Sequence, residues 1–181
     1  PLEPQGNGEF IAQLAQFSTV EGIETLNTSM ESLVTGYQSS QALQASSLVG
    51  RTVIVPADQA MVDTTQGLKG QLALPNASDN VYVNVTDAAG SVVTRINLGS
   101  QPSGMHDFVW DGKDSSGNLM PPGKYKFEAQ DTIDGANKQL ATLLPANVDS
   151  VSLGNGQGGS MMLNVAGLGS ISLANIVSIG Q

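Results

Sequence analysis

Phe108-Val109-Trp110-Asp111-Gly112-Lys113-Asp114-Ser115-Ser116-Gly117-Asn118-Leu119-Met120-Pro121-Pro122-Gly123-Lys124-Tyr125 contains the only tryptophan of the chain and decides its fold class. Phe108 and Trp110 lie two apart, so in a strand they point to one face. Tyr125, Phe127 and Ala129 repeat that alternation beyond the loop. Asp111-Gly112 and Pro121-Pro122-Gly123 are turn chemistry at the two ends of a long connection. The stretch predicts two strands of a β-sandwich with an aromatic core and an ordered loop between them. Phe108, Trp110, Asp111, Gly112, Gly117, Pro121, Gly123 and Tyr125 form its structural signature.

Outward from this stretch, the period of the apolar residues stays at two from Leu48 to the C-terminus. Strands are expected over 49–55, closed by Pro56, and over 71–74, 81–86, 92–98, 105–110, 124–131, 139–144, 148–153, 161–165, 170–173 and 176–179. Short strands separated by Gly, Pro, Asn and Ser turns argue for an antiparallel sandwich or barrel. A parallel α/β fold needs crossover helices, for which no room remains after residue 47. Ile133-Asp134-Gly135-Ala136-Asn137 reads as a loop joining two β units, and Thr64–Gly67 as a second boundary. Cutting there isolates 67–137, the size of a small sandwich. The remaining pieces, 48–66 and 138–181, are each too small to bury a core. Together they are expected to form one small barrel into which the sandwich is inserted.

Residues 1–47 read as helical after a start containing Pro1, Pro4, Gly6 and Gly8. Phe10, Leu14 and Phe17 fall at helical spacing. Ser18-Thr19-Val20-Glu21 has the form of a capping box and predicts a helix start there. Beyond it, Ile23, Leu26, Met30, Leu33 and Tyr37 follow the 3-4-3-4 spacing of a coiled-coil seam over about two heptads. The stripe fades into the Gln/Ser-rich stretch 38–47. Two readings stand side by side: an amphipathic helix docked on its own domain, or a seam that packs against copies of itself or another protein.

The composition removes whole classes of function. The 181 residues carry 16 acidic against 7 basic side chains, a formal net charge of −9, and the first basic residue is Arg51. Tracking a phosphate backbone needs clustered cations, so nucleic acid is not an expected partner. Anionic membrane surfaces are disfavoured for the same reason, and no apolar run reaches the roughly 18–20 residues of a membrane span. There is no cysteine, hence no disulfide, thiolate nucleophile or Cys-ligated metal. The N-terminus lacks a basic stretch followed by an apolar one, so no secretory signal is read. Because the chain opens on Pro1 rather than Met, further residues are expected upstream.

Searching for chemistry returns mostly structural readings. His106 is the only histidine, and nothing near it resembles a nucleophile elbow; it reads as an exposed or hydrogen-bonded loop residue. Gly154-Asn155-Gly156-Gln157-Gly158-Gly159 satisfies G-x-G-x-x-G, but no helix follows and no acidic residue lies about 20 positions on, so it reads as a flexible hairpin loop. Asp111, Asp114, Ser115 and Asn118 invite a calcium reading. An EF-hand count from Asp111 puts Lys113 at position 3, Gly117 at 7 and Pro122 at 12, which breaks the ligand pattern. Asp111 is instead expected to accept hydrogen bonds from loop N–H groups. Glu9, Glu21, Glu24 and Glu31 read as a solvated helix face. No catalytic residue, cofactor or metal is expected.

With these pieces located, the chain resembles the flagellar hook-capping proteins, the hook-assembly scaffolding proteins of bacteria. Two stretches carry the resemblance. The first is Phe10-Ile11-Ala12-Gln13-Leu14-Ala15-Gln16-Phe17-Ser18-Thr19-Val20-Glu21-Gly22-Ile23, followed by Leu26-Asn27 and by Leu48-Val49-Gly50-Arg51-Thr52-Val53. The second is Trp110-Asp111-Gly112-Lys113-Asp114 with Gly117, Pro121, Gly123 and Tyr125. The tryptophan loop alone also occurs in other bacterial secreted β-sandwich modules; the two stretches in this order are more diagnostic. The match spans roughly residues 8–130, with a looser one through Ser172–Ile176.

The resemblance implies a mainly β chain, a fibronectin-III/Ig-like sandwich inserted in a Tudor-like barrel and preceded by the helical segment. It further implies a non-enzymatic, homo-oligomeric, pentameric cap at the tip of the growing hook, with hook protein as partner. Export would run through the flagellar type III apparatus, with its address upstream of Pro1. The contact residues follow from periodicity instead: Ile23, Leu26, Met30, Leu33 and Tyr37. The competing reading is a secreted adhesion or carbohydrate-binding sandwich. Its sugar platform would need an exposed ring, and outside the core and the helical zone only Tyr82 is left to supply one.

Overall fold

A computed structural model of the chain describes residues 5–133, 136–153 and 161–180. Its N-terminal unit is helical and its second unit, from Gln44 onward, is mainly β. The helix α1 runs without interruption over Gln5–Ser46. The helix start expected at Ser18 does not occur; Ser18 lies in mid-helix. No proline stands between Pro4 and Pro56 to stop the helix, and the Ala/Gln/Leu-rich stretch from Ala12 to Gln16 has high helix propensity. The hydroxyl groups of Thr19, Thr25, Thr28, Ser29, Ser32 and Thr35 each donate to the carbonyl four residues back, at 2.8–2.9 Å. Hydroxyls that in a cap would satisfy free N–H groups are thus turned back onto the helix itself. The helix also continues through the Gln/Ser-rich stretch where the seam fades.

The chain leaves α1 through a turn at Ser47–Gly50, so the strand expected from Val49 begins later. The strands are β1 (Thr52–Pro56), β2 (Gln59–Val62), β3 (Leu68–Leu74), β4 (Ser78–Thr86), β5 (Val92–Gln101), β6 (Gly104–Trp110), β7 (Gly123–Ile133), β8 (Ala136–Gln139), β9 (Ala141–Leu153), β10 (Met161–Val165), β11 (Gly169–Ser172) and β12 (Ser178–Ile179). A 3-10 turn occupies Leu173–Asn175, inside the tail expected to be strand up to Leu173. All pairings between these strands are antiparallel.

One sheet has the order β2-β7-β4-β5, with β8 added at β7. The other runs β11-β10-β9-β1-β12, with β3 on β9 and β6 on β3. Strands β3 and β6 face the first sheet across an aromatic core, which makes the Ig-like sandwich. The path from β11 to β12 is the curled half-barrel. β9 joins the two: its start, Ala141–Leu143, pairs with β3, Leu143–Asn147 with β1, and Val148–Leu153 with β10. Two strands were expected here, broken near Pro145. The single strand tolerates Pro145 because the ring sits where β9 passes from one partner to the next, with Pro145 opposite Ile54.

Two further pairings depart from the sequence reading. β2 lies within 48–66 but pairs with β7, Gln59 opposite Lys126 and Val62 opposite Gly123. The segment 48–66 therefore contributes β1 to the half-barrel sheet and β2 to the sandwich. Gln59-Ala60-Met61-Val62 is too short to display an alternation, yet Ala60 and Val62 are buried in the sandwich core. β8 falls where a loop and the start of a strand were expected, and Ile133 pairs with Ala136 across a hairpin. The glycine-rich segment 154–159 lies outside the described residues.

Each part has its own apolar cluster. The sandwich cluster holds Leu72, Val81, Val83, Val85, Phe108, Trp110, Tyr125, Phe127 and Leu144. The half-barrel cluster holds Leu48, Val53, Val55, Ala146, Val148, Leu163 and Val165. Ala57 packs against both, and β9 supplies Leu144 to one and Ala146 and Val148 to the other. Leu144, Ala146 and Val148 lie two apart on one face of β9, so a single continuous strand face fastens the half-barrel to the sandwich.

Candidate functional site

The tryptophan loop is held from within. Trp110 and Phe108, on β6, are 1 % and 2 % exposed. The Trp110 ring lies 4.6 Å from that of Tyr125 and 5.8 Å from that of Phe127, in the tilted and edge-on arrangements that aromatic pairs prefer. The indole N–H of Trp110 donates to the Lys113 carbonyl at 2.8 Å. The Tyr125 hydroxyl donates to the Pro121 carbonyl at 2.6 Å, closing the other end of the loop. Gly112 and Gly117 take the left-handed conformation, and Gly123 opens β7.

The loop carboxylates are occupied by the loop. Asp111 Oδ1 accepts from the Lys113 N–H at 3.1 Å, the Asx-type contact its position predicts. The Lys113 ammonium approaches the same carboxylate at 4.0 Å. Asp114 accepts from the backbone N–H groups of Ser116 and Asn118 and from the Asn118 side-chain amide. The Asn118 amide, with the loop N–H groups behind it, holds the Asp114 carboxyl below the usual carboxylate range. A cation here would have to displace these donors. Among the described residues no three His, Cys, Asp or Glu side chains are grouped to hold a metal. His106 is half-exposed on β6, with its Nε2 at 2.7 Å from the Pro102 carbonyl oxygen.

The one ring left to serve a sugar platform is withdrawn. Tyr82 is 5 % exposed, its hydroxyl donates to Gln130 at 2.8 Å, and the Arg95 guanidinium covers its ring at 4.4 Å. The alternation of 81–86 suggested that Tyr82 faces out, as it does; the cross-strand arginine that covers it cannot be read from one strand.

The helix presents a different surface. Ile23, Leu26, Met30, Leu33 and Tyr37 all lie on α1 and are 54–69 % exposed in the single chain. The spacing places them on one side of the helix, and Val34 extends that side. Phe10, Ile11, Leu14 and Phe17 are likewise exposed, at 50–72 %. Apolar area of this extent on one helix marks an interaction surface more often than an enzyme site. The helix contains no Lys, Arg or His, and among the described residues none is long and apolar enough to cross a membrane.

Comparison with known proteins matches two stretches of the chain to one family. A family model described as the FlgD Ig-like domain matches residues 57–135, and one described as the N-terminal region of flagellar hook capping protein matches residues 1–32. The basal-body rod modification protein FlgD of Escherichia coli (strain K12) is 36% identical over 162 residues, spanning 86% of this chain and 70% of that protein. The chain belongs to the flagellar hook-capping family.

Solved members of the hook-capping family share its fold. The crystal structure of FlgD from P. aeruginosa matches with a TM-score of 0.69 and 60% identity, over 74% of this chain and 98% of that one. The structure of FlgD from Xanthomonas campestris, described as giving insights into the hook capping essential for flagellar assembly, matches with a TM-score of 0.64 and 39% identity, over 77% and 99% of the two chains. The Ig-like match begins at residue 57, just before β2, and so includes the strand that pairs with β7.

Proposed function

We propose that the protein is a non-enzymatic scaffold that caps the distal end of the growing flagellar hook and promotes addition of hook subunits. The family assignment supports this role. The observation that carries its mechanism is the exposed stripe of Ile23, Leu26, Met30, Leu33 and Tyr37 on an uninterrupted helix. In this reading the segment 1–47 is the assembly element, through which copies of the chain associate into a closed ring, pentameric as in the family it resembles. The half-barrel strands drawn from 48–66 and 138–181 frame the sandwich, which takes β2 and the start of β9 in addition to 67–137, and this β unit shapes the tip that hook protein meets. The protein then works outside the cell, reached by flagellar type III export.

The physical logic is direct. An a/d seam buries apolar area only when a partner supplies the matching seam, and helices gain most of their stability from such packing, being marginal in isolation. The acidic residues Glu24 and Glu31 lie away from the seam, so self-association does not bring them into the contact. Electron microscopy of hook tips in a strain lacking the gene tests the function. Capped hooks should be lost in that strain and return when the gene is restored; hooks of normal length and tip structure in its absence would refute the role.

A further inference from the structure

The apolar residues of α1 do not form one stripe. At roughly 100° of rotation per residue, Ile23, Leu26, Met30, Leu33 and Tyr37 cluster on one side. On the same count Phe10, Leu14 and Phe17 lie about 180° away, on the other side. The turn between them comes from three-residue steps at Phe17, Val20, Ile23 and Leu26, each of which falls about 60° short of a full rotation. A helix that restarted at Ser18 would leave the phase of the two patches free. The unbroken α1 fixes it. Their centres are separated by about 25 Å along the axis at 1.5 Å per residue, so a single flat partner cannot cover both.

The side that carries Phe10, Leu14 and Phe17 changes character beyond Phe17. Glu21, Glu24, Thr25, Thr28 and Ser32 line one shallow groove there. The Thr25, Thr28 and Ser32 hydroxyl protons are already donated to backbone carbonyls. What this side offers outward is apolar surface followed by carboxylates and hydroxyl lone pairs, an acceptor surface with no cation on the helix to balance it. A second copy packed in parallel would bring the same carboxylates together and be repelled, and one packed antiparallel would bring no cation to Glu21 and Glu24, since the helix carries none. The Ile23–Tyr37 side has no such row.

We infer that α1 docks two partners on opposite sides, and that the Phe10-Leu14-Phe17 patch takes an amphipathic, basic helical segment of a different protein. Its apolar residues would seat on the three side chains and its Lys or Arg residues would lie over Glu21 and Glu24. This goes beyond self-association of the Ile23–Tyr37 stripe and does not depend on it.

The test uses the full chain and two fluorescein-labelled 18-residue helical peptides, one built from Leu and Lys and its twin from Leu and Glu. Fluorescence anisotropy should show saturable binding of the Leu/Lys peptide, one per chain, at least tenfold tighter than its twin. The Phe10→Ala/Phe17→Ala variant, which keeps helix propensity, should weaken binding at least tenfold. Glu21→Gln/Glu24→Gln should weaken it and flatten its salt dependence, whereas the charge-matched Asp107→Asn/Asp149→Asn variant should not. Leu26→Asp/Leu33→Asp should leave the peptide affinity unchanged whatever it does to oligomerisation. Absence of binding, equal affinity for the twins, or equal loss in the charge-matched control would overturn the inference. So would loss of self-association in Phe10→Ala/Phe17→Ala with peptide affinity intact, which would assign the patch to a second copy.

Discussion

Gly112 stands against the backbone carbonyl of Thr64: a Cβ on Gly112 would overlap that oxygen and come within 2.9 Å of the Thr64 Cα. Thr64 is itself buried, and its hydroxyl donates to the Met120 carbonyl at 2.6 Å. The loop after β2 and the loop after Trp110 are thus closed on each other, without room for a side chain between them. The Asp-Gly of the sequence signature serves this contact as well as its own turn.

Gly112→Ala should therefore destabilise the β unit by about 2–4 kcal/mol, combining a left-handed backbone with a clash that only backbone movement relieves. Gly117→Ala shares the left-handed φ (+85° against +79°) but meets open space, and should cost only about 1 kcal/mol. Urea unfolding followed by Trp110 fluorescence distinguishes them; equal losses would show that the Thr64 contact contributes nothing.

Tyr125→Phe removes the hydroxyl that ties β7 to the Pro121 carbonyl and keeps the ring. Pro121 is exposed, so its carbonyl regains water, and the cost should be about 0.5–1.5 kcal/mol. Trp110→Ala empties the centre of the aromatic cluster and should cost about 3–5 kcal/mol. A Tyr125→Phe loss as large as that of Trp110→Ala would mean that the loop tie, and not the core, holds the corner.

Arg95 covers Tyr82 and donates from its Nε to Asn84 at 2.9 Å. Arg95→Ala should destabilise by about 0.5–1 kcal/mol and increase quenching of tyrosine emission by iodide. Arg95→Lys should recover only part of the stability, because an ammonium does not lie flat on the ring. Full recovery by lysine would reduce the contact to charge alone.

The Asp114 carboxyl titrates below its ordinary value because the Asn118 amide and the loop N–H groups stabilise the ionised form. A folded pKa below the unfolded one gives stability that is complete above the unfolded value of about 4 and disappears as pH falls through the folded one. The stability difference between the protein and Asp114→Asn should be constant near neutral pH and shrink below about pH 4. A difference independent of pH down to pH 2 would rule this out. Asp63, held low by the Thr65 hydroxyl and N–H, should behave in the same sense.

Much of this architecture was legible because alternation survives wherever a strand is half-buried and long. Val81-Val83-Val85, Phe108-Trp110 and Tyr125-Phe127-Ala129 all point to the core as their spacing predicts. The misses have physical causes. β2 and β8 have four residues each, too few for a period to show, and their pairing with β7 is a long-range choice. Pro145 reads as a strand end, yet β9 carries it where it changes partners. Ser18-x-x-Glu21 reads as a cap only if the preceding turn is not helical, and the propensity of Ala12–Gln16 makes it helical. A break there would conceal the opposed phase of the Phe10–Phe17 and Ile23–Tyr37 patches. The exposed apolar side of the helix was legible from spacing; the covering of Tyr82 by Arg95 required the register of β4 against β5.

Sedimentation velocity of the full chain beside Leu26→Asp/Leu33→Asp tests the assembly seam most directly. The parent protein should sediment as a concentration-dependent oligomer, and the variant as an 18.7 kDa monomer with the near-ultraviolet circular dichroism of Trp110 unchanged. An oligomer of the same size and concentration dependence in both would contradict the account.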